Sequence, residues 1–153
     1  MRVYLDACAL NRLTDDQSQA RIRNESEAVQ QVLGLILMGK LEWKASRALE
    51  VELLQNPDSA KRADSLDLLS YAGVLPRVSE QVVQRGRLLA AIGYGVLDAL
   101  HLAHAEEMKV DALLTTDDRF IRQVARGLGN PRIRVVNPVD WMREVRVWLR
   151  AKQ

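Results

Sequence analysis

A chain of 153 residues, 48% apolar and 27% charged, has the make-up of an ordinary folded domain and not of a disordered, fibrous or membrane-embedded one. With 22 Lys and Arg against 20 Asp and Glu, the net charge of +2 excludes both a strongly basic nucleic-acid coat and an acidic tail, so any charge-driven function has to come from local clustering. The single cysteine, Cys8, rules out an internal disulfide framework and fits a reducing, cytoplasmic compartment, while 5% aromatic residues leave little for a base-stacking sheet. No secretory signal opens the sequence, because Met1-Arg2-Val3-Tyr4-Leu5 meets Asp6 at once, and the longest apolar run, Val32 to Met38, falls far short of the ~18 residues that cross a bilayer. The expectation is one domain over residues 1–153 that stays out of membranes.

Taken in chain order, Val3-Tyr4-Leu5 is a short β-prone run that stops at Asp6. Helical periodicity runs from about Asn24 to Met38, and Leu41-Glu42-Trp43-Lys44 is a weak strand candidate. Helices follow over Ser46 to Gln55 and Ser59 to Tyr71, opened by Ser46 with Glu50 and by Asp58-Ser59. Gly73-Val74-Leu75-Pro76 reads as another weak strand. Ser79-Glu80 opens a helix to Ala91, and Gly93 and Gly95 break the pattern before a nearly apolar helix from Val96 to Met108. Ala112-Leu113-Leu114-Thr115 is a second buried strand ending in acid, at Thr116-Asp117, with a helical run after it. Gly127 to Pro131 is a helix exit and turn. Ile133 to Val136 is a further strand, followed by a final helix from about Val139 to Leu149 whose stripe of Trp141, Val145 and Trp148 suits the core or another subunit. Strand and helix alternate nearly throughout, which predicts an α/β fold: three layers, α/β/α, with a mostly parallel central sheet and a ligand crevice at the carboxyl ends of its strands.

Acids stand where that crevice is expected. Asp6 and Asp117 each follow a strand and precede a helix, a position that suits a helix cap and a site residue equally well. Asp98 lies early in the apolar helix, where a carboxylate needs a partner, a cation or the helix dipole. Glu50 and Glu52 are two apart and point to different sides of their helix, so one of them faces solvent. Carboxylates drawn together repel by about 1 kcal/mol per pair at ~4 Å even in water, so a cluster of them implies a divalent cation. All-oxygen ligands select Mg²⁺ or Mn²⁺ over zinc. His101 shares a helix face with Asp98, but no further His or Cys completes a zinc set, and a packed, hydrogen-bonded histidine is the plainer reading. Cys8 reads as a small buried side chain, and Gly93-Tyr94-Gly95 as a turn and not a dinucleotide fingerprint.

The sequence resembles the PIN-domain ribonucleases, the family that includes the VapC-type toxins of toxin-antitoxin pairs. The resemblance rests on Val3-Tyr4-Leu5-Asp6, on Ser46 with Glu52, on Gly95 through Ala103 around Asp98, and on Leu113-Leu114-Thr115-Thr116-Asp117-Asp118-Arg119-Phe120. It implies that Asp6, Glu52, Asp98 and Asp117 are the catalytic acids, that Asp6, Asp98 and Asp117 hold the metal, Mg²⁺ or Mn²⁺, that Thr115 supports Asp117 through its hydroxyl, and that Asp118 is a further supporting acid. Glu50 stands as the alternative to Glu52. Ala7 and Cys8 occupy places where many relatives carry Thr or Ser and then another polar residue. The implied chemistry is metal-assisted hydrolysis of RNA phosphodiester bonds leaving 5′-phosphate and 3′-hydroxyl ends. The implied partners are RNA, a small antitoxin protein and a second copy of the chain in a homodimer. Arg12, Arg119 and Arg122 are the best-placed guanidinium groups for substrate phosphates. Two other readings stay open: a catalytically weak PIN-like scaffold that binds RNA or protein, favoured by Ala7 and Cys8, and a phosphotransferase using Asp6, disfavoured because Cys8 stands where a second acid is usual.

Overall fold

The computed structural model describes residues 1–153. In chain order the elements are β1 (Arg2–Leu5), α1 (Ala7–Asn11), α2 (Ala20–Leu37), β2 (Glu42–Lys44), α3 (Arg47–Leu54), α4 (Ser59–Leu69) with a 3₁₀ turn (Ser70–Ala72), α5 (Glu80–Ala91), α6 (Val96–Glu107), β3 (Ala112–Leu114), α7 (Asp118–Ala125), β4 (Arg134–Val136) and α8 (Pro138–Ala151). The sheet has four strands in the order β2-β1-β3-β4, all parallel, with Val3 opposite Trp43 on one side and Ala112 on the other. The fold is α/β, in agreement with the alternating pattern.

Strand order decides where a ligand can bind. From β1 the chain crosses to β2 on one side, then returns past β1 to β3 and β4. Right-handed crossovers in opposite directions place their helices on opposite faces, and the loops leaving β1 and β3 diverge. The switch in strand order, where parallel sheets take their ligands, therefore lies between β1 and β3, and Asp6 and Asp117 stand at the carboxyl ends of these two strands. Helices α2 and α8 pack on each other, as do α5 and α6, and the sheet between them is dry: Val3, Tyr4, Leu5, Leu113 and Leu114 are fully buried. Val135, Val136, Trp141, Met142 and Val145 join the same core, so the terminal stripe of α8 packs inward.

The sequence expectation fails at Gly73–Pro76, which forms no strand. Gly73 sits at φ +74°, Pro76 has no N–H to donate, and Val74 is 96% exposed, so nothing pairs with the segment. Helix α2 begins at Ala20, ahead of the Asn24 expected, because its N-cap Gln19 makes no side-chain cap and therefore leaves no start signal in the sequence. Asp58, Ser79 and Asn137 do cap α4, α5 and α8, accepting from backbone N–H groups of the first turn. No helix is long and apolar enough to cross a membrane.

Candidate metal-binding crevice

Both strand-end aspartates are helix caps, and capping uses only one of their oxygens. Asp6 Oδ1 accepts from the N–H of Ala9 at 3.0 Å, while its buried Oδ2 has no hydrogen-bond partner. Asp117 Oδ1 accepts from Arg119 at 2.9 Å and Phe120 at 3.2 Å, and its Oδ2 makes no hydrogen bond within the chain. The two readings of these residues are therefore compatible: the cap fixes each carboxylate by one oxygen and leaves the other without a partner in the protein. Asp98, in the first turn of α6, accepts no hydrogen bond from the protein at all. Gly95, the N-cap of α6, makes room for it, since a Cβ there would stand 3.2 Å from Asp98 Oδ2.

The two acids of α3 meet different partners: Glu50 pairs with Arg47 at 2.9 Å, whereas Glu52 turns toward α6. Glu52 Oε2 lies 2.6 Å from His101 Nε2, and His101 Nδ1 lies 2.6 Å from the Tyr4 hydroxyl. Tyr4 in turn meets Ser46 Oγ at 2.6 Å, and Ser46 caps α3 by accepting from Leu49 at 3.2 Å. A hydrogen-bonded chain thus runs from β1 through α6 to α3. Sequence reasoning gives His101 as a packed histidine and assigns nothing to Tyr4 or to the Ser46 hydroxyl beyond its cap. The one signal it has for this chain is the spacing of His101 from Asp98.

The carboxylates feel one another. Burial pushes Asp98 up to about 7, with Asp6, Asp117 and Glu52 adding to the rise. Burial also pushes Asp6 up to about 6, against the opposing effects of His101, the Thr115 hydroxyl and the Ala9 N–H. Thr115 Oγ accepts from the backbone N–H of Asp117 at 3.1 Å, and its hydroxyl favours the ionised form of Asp6. The Cys8 thiol is pushed far up by burial and by all of Asp6, Glu52, Asp98 and Asp117, which keeps it a thiol and removes it as a nucleophile.

As they stand, no three of these groups are close enough to ligate one ion directly. The donor set still fits a hard divalent cation. Its donors are carboxylate oxygens, every one of the acids keeps an oxygen without a protein partner, and Mg²⁺ takes only one or two carboxylates directly and reaches others through water. A sign follows for stability. Acids whose folded values lie above the ordinary 3.8 bind more protons folded than unfolded, so their penalty is absent below that value and fully felt above about 7. We expect these two groups to make the metal-free protein lose stability as pH rises through this window, and Mg²⁺ to raise Tm more near pH 8 than near pH 5, read by melts with and without EDTA. An equal Mg²⁺ effect at both pH values would count against a cation at these acids.

Other residues singled out by sequence lie differently. Asp118 is not part of the acid cluster: it forms a bidentate pair with Arg21 at 2.8 and 2.9 Å, which holds its carboxyl below the usual range. Arg12 is committed to Asp15 at 2.8 Å and to the buried Glu25 at 3.0 Å, so it is not a free charge for phosphate. Arg119 and Arg122 are exposed on α7, the helix that Asp117 caps, and make no ion pair within the chain.

The PIN domain family profile matches residues 3–126. The chain belongs to the PIN domain family. In this PIN domain the matched segment carries all four acids, β1 to β3 and α7, whereas β4 and α8 lie beyond it. No match was found among curated proteins. PIN domains are a nuclease-type fold, and their nucleases generally work with divalent metal ions.

Proposed function

We propose that residues 1–153 form one PIN-like domain whose crevice is the centre of a Mg²⁺- or Mn²⁺-dependent endoribonuclease. The observation that carries this reading is that acids from β1, α3, α6 and the β3–α7 junction converge, each with an oxygen left unsatisfied by the protein. Asp6, Asp98 and Asp117 would hold the ion, directly or through water. A bound divalent ion supplies a Lewis acid for the phosphodiester and a water of lowered pKa. Glu52, with Oε2 held by His101, keeps Oε1 free to orient a water. Thr115 fixes the turn that carries Asp117, and Arg119 and Arg122 offer guanidinium groups to the flanking phosphates. The backbone N–H of Ala9 orients Asp6 despite the apolar Ala7 and Cys8, which answers the sequence argument for a scaffold that only binds RNA or protein.

Incubated with end-labelled RNA, the protein is expected to cut with Mg²⁺ or Mn²⁺, to leave 5′-phosphate and 3′-hydroxyl ends, and to stop in EDTA. Cleavage that persists in EDTA, or tight RNA binding with no cutting under either ion, overturns the reading. The double variant Arg119→Ala/Arg122→Ala is expected to weaken RNA binding and to flatten the plot of log affinity against log salt by ~0.7 for each phosphate that is no longer neutralised. An unchanged slope removes these residues from the substrate path.

The resemblance to VapC-type toxins supports the finer reading that the protein is the cytoplasmic toxin of a toxin-antitoxin pair, a homodimer neutralised by a small partner protein. Expression is then expected to arrest growth, and co-expression of a short neighbouring reading frame to relieve it. Unimpaired growth during expression of an active enzyme refutes the toxin role.

A further inference from the structure

The buried chain Ser46–Tyr4–His101–Glu52 has a direction. Ser46 Oγ already accepts from the Leu49 N–H, and its only other partner is the Tyr4 hydroxyl, so its proton goes to Tyr4 oxygen. Ser46 is fully buried and has no other acceptor. Tyr4, also fully buried, must then donate to His101 Nδ1, and the ring's proton sits on Nε2, facing Glu52. Any arrangement with a proton on Nδ1 turns Tyr4 toward Ser46 and strands the Ser46 proton in the core, at the full cost of an unmade hydrogen bond.

We propose that His101, locked by Tyr4 and Ser46 with its proton on Nε2, is the positioning residue that fixes Glu52 in the crevice, committing Oε2 and leaving Oε1 as the one oxygen available to the cation or its water. This rests on the metal-centre reading above and adds residues that the acids alone do not require. Histidine suits the task because its ring spans the distance from a strand residue to a helix residue rigidly, and the neutral ring donates from one nitrogen while accepting at the other. Groups placed this way behind metal-binding side chains typically change metal affinity by ~10–100-fold.

The test uses Mn²⁺ as probe, with free ion counted by electron paramagnetic resonance and no RNA present. His101→Leu is expected to weaken Mn²⁺ binding by ~10–100-fold. His101→Gln, whose amide restores an N–H near the Nε2 position, is expected to recover most of it, a rescue that simple loss of packing would not give. Tyr4→Phe removes the lock while keeping the ring, and is expected to fall between them; it decides the matter if His101→Leu fails to fold. ¹⁵N spectra of the histidine rings, assigned by the signals that His101→Gln removes, are expected to show His101 protonated on Nε2 at neutral pH. A proton on Nδ1, or a wild-type Mn²⁺ affinity in His101→Leu or Tyr4→Phe, overturns the proposal. A wild-type protein that binds no Mn²⁺ is a different result: it refutes the metal centre itself.

Discussion

Asp98→Asn is expected to lower metal-dependent RNA cleavage by about 10³-fold or more, equal to about 4 kcal/mol of transition-state stabilisation, while leaving the fold intact. Asp98 carries a charge that the folded protein tolerates poorly. Burial pushes it up to about 7, and Asp6, Asp117 and Glu52 repel it further. No hydrogen bond within the chain answers that charge, and under the metal-centre reading a cation does. Asparagine keeps the shape and drops the charge, which removes a ligand and relieves the repulsion together. The variant is therefore expected to melt at or above the wild-type temperature in metal-free buffer near neutral pH, and to gain less from Mg²⁺. Inactivity with undiminished stability separates a site residue from a structural one. Full activity in this variant would remove Asp98 from the centre.

The second large effect concerns a residue outside the crevice. Glu25 on α2 is 1% exposed and accepts from Arg12 Nε at 3.0 Å, Arg21 Nε at 3.4 Å and Asn137 Nδ2 at 2.6 Å. Arg21 also holds the Thr116 carbonyl at 3.2 Å and the Asp118 carboxylate, so the network grips both ends of the residue pair that flanks Asp117. Removing one partner of a buried charge pair costs about 3–5 kcal/mol, and the half-exposed Arg21 reduces this. Glu25→Ala is expected to destabilise by about 2–4 kcal/mol, a fall in Tm of about 5–12 °C, seen by calorimetry. Because Asp117 loses its brace, cleavage at a temperature where the variant is still folded is expected to fall as well. A variant as stable and as active as wild type would show that the network carries neither load.

Much of the crevice is legible in the sequence because its parts are local. Asp6 and Asp117 each stand between a buried strand and a helix start, and the capping that makes them legible also aims them. Asp98 stands out as a charge in an apolar helix. What separates Glu50 from Glu52 is only half local: Glu50 meets Arg47, three residues away, whereas Glu52 meets His101, 49 residues away. Asp118 and Arg12 suggest themselves for the site because they lie near its acids in sequence. Their partners, Arg21 and Glu25, stand unmarked in the polar and apolar pattern of α2. The β-prone side chains of Gly73–Pro76 suggest a strand, but they cannot form one where no neighbour offers hydrogen bonds.

By itself the sequence determined the alternation of strands and helices, the caps that start them and the acids set at strand ends, because each is written in residues a few positions apart and enforced by backbone hydrogen bonds. Tertiary structure alone decided which charges are answered by other side chains and which are not, and which groups Tyr4 and His101 meet. Those outcomes depend on groups brought together from distant parts of the chain, in a core where water cannot substitute for a missing partner.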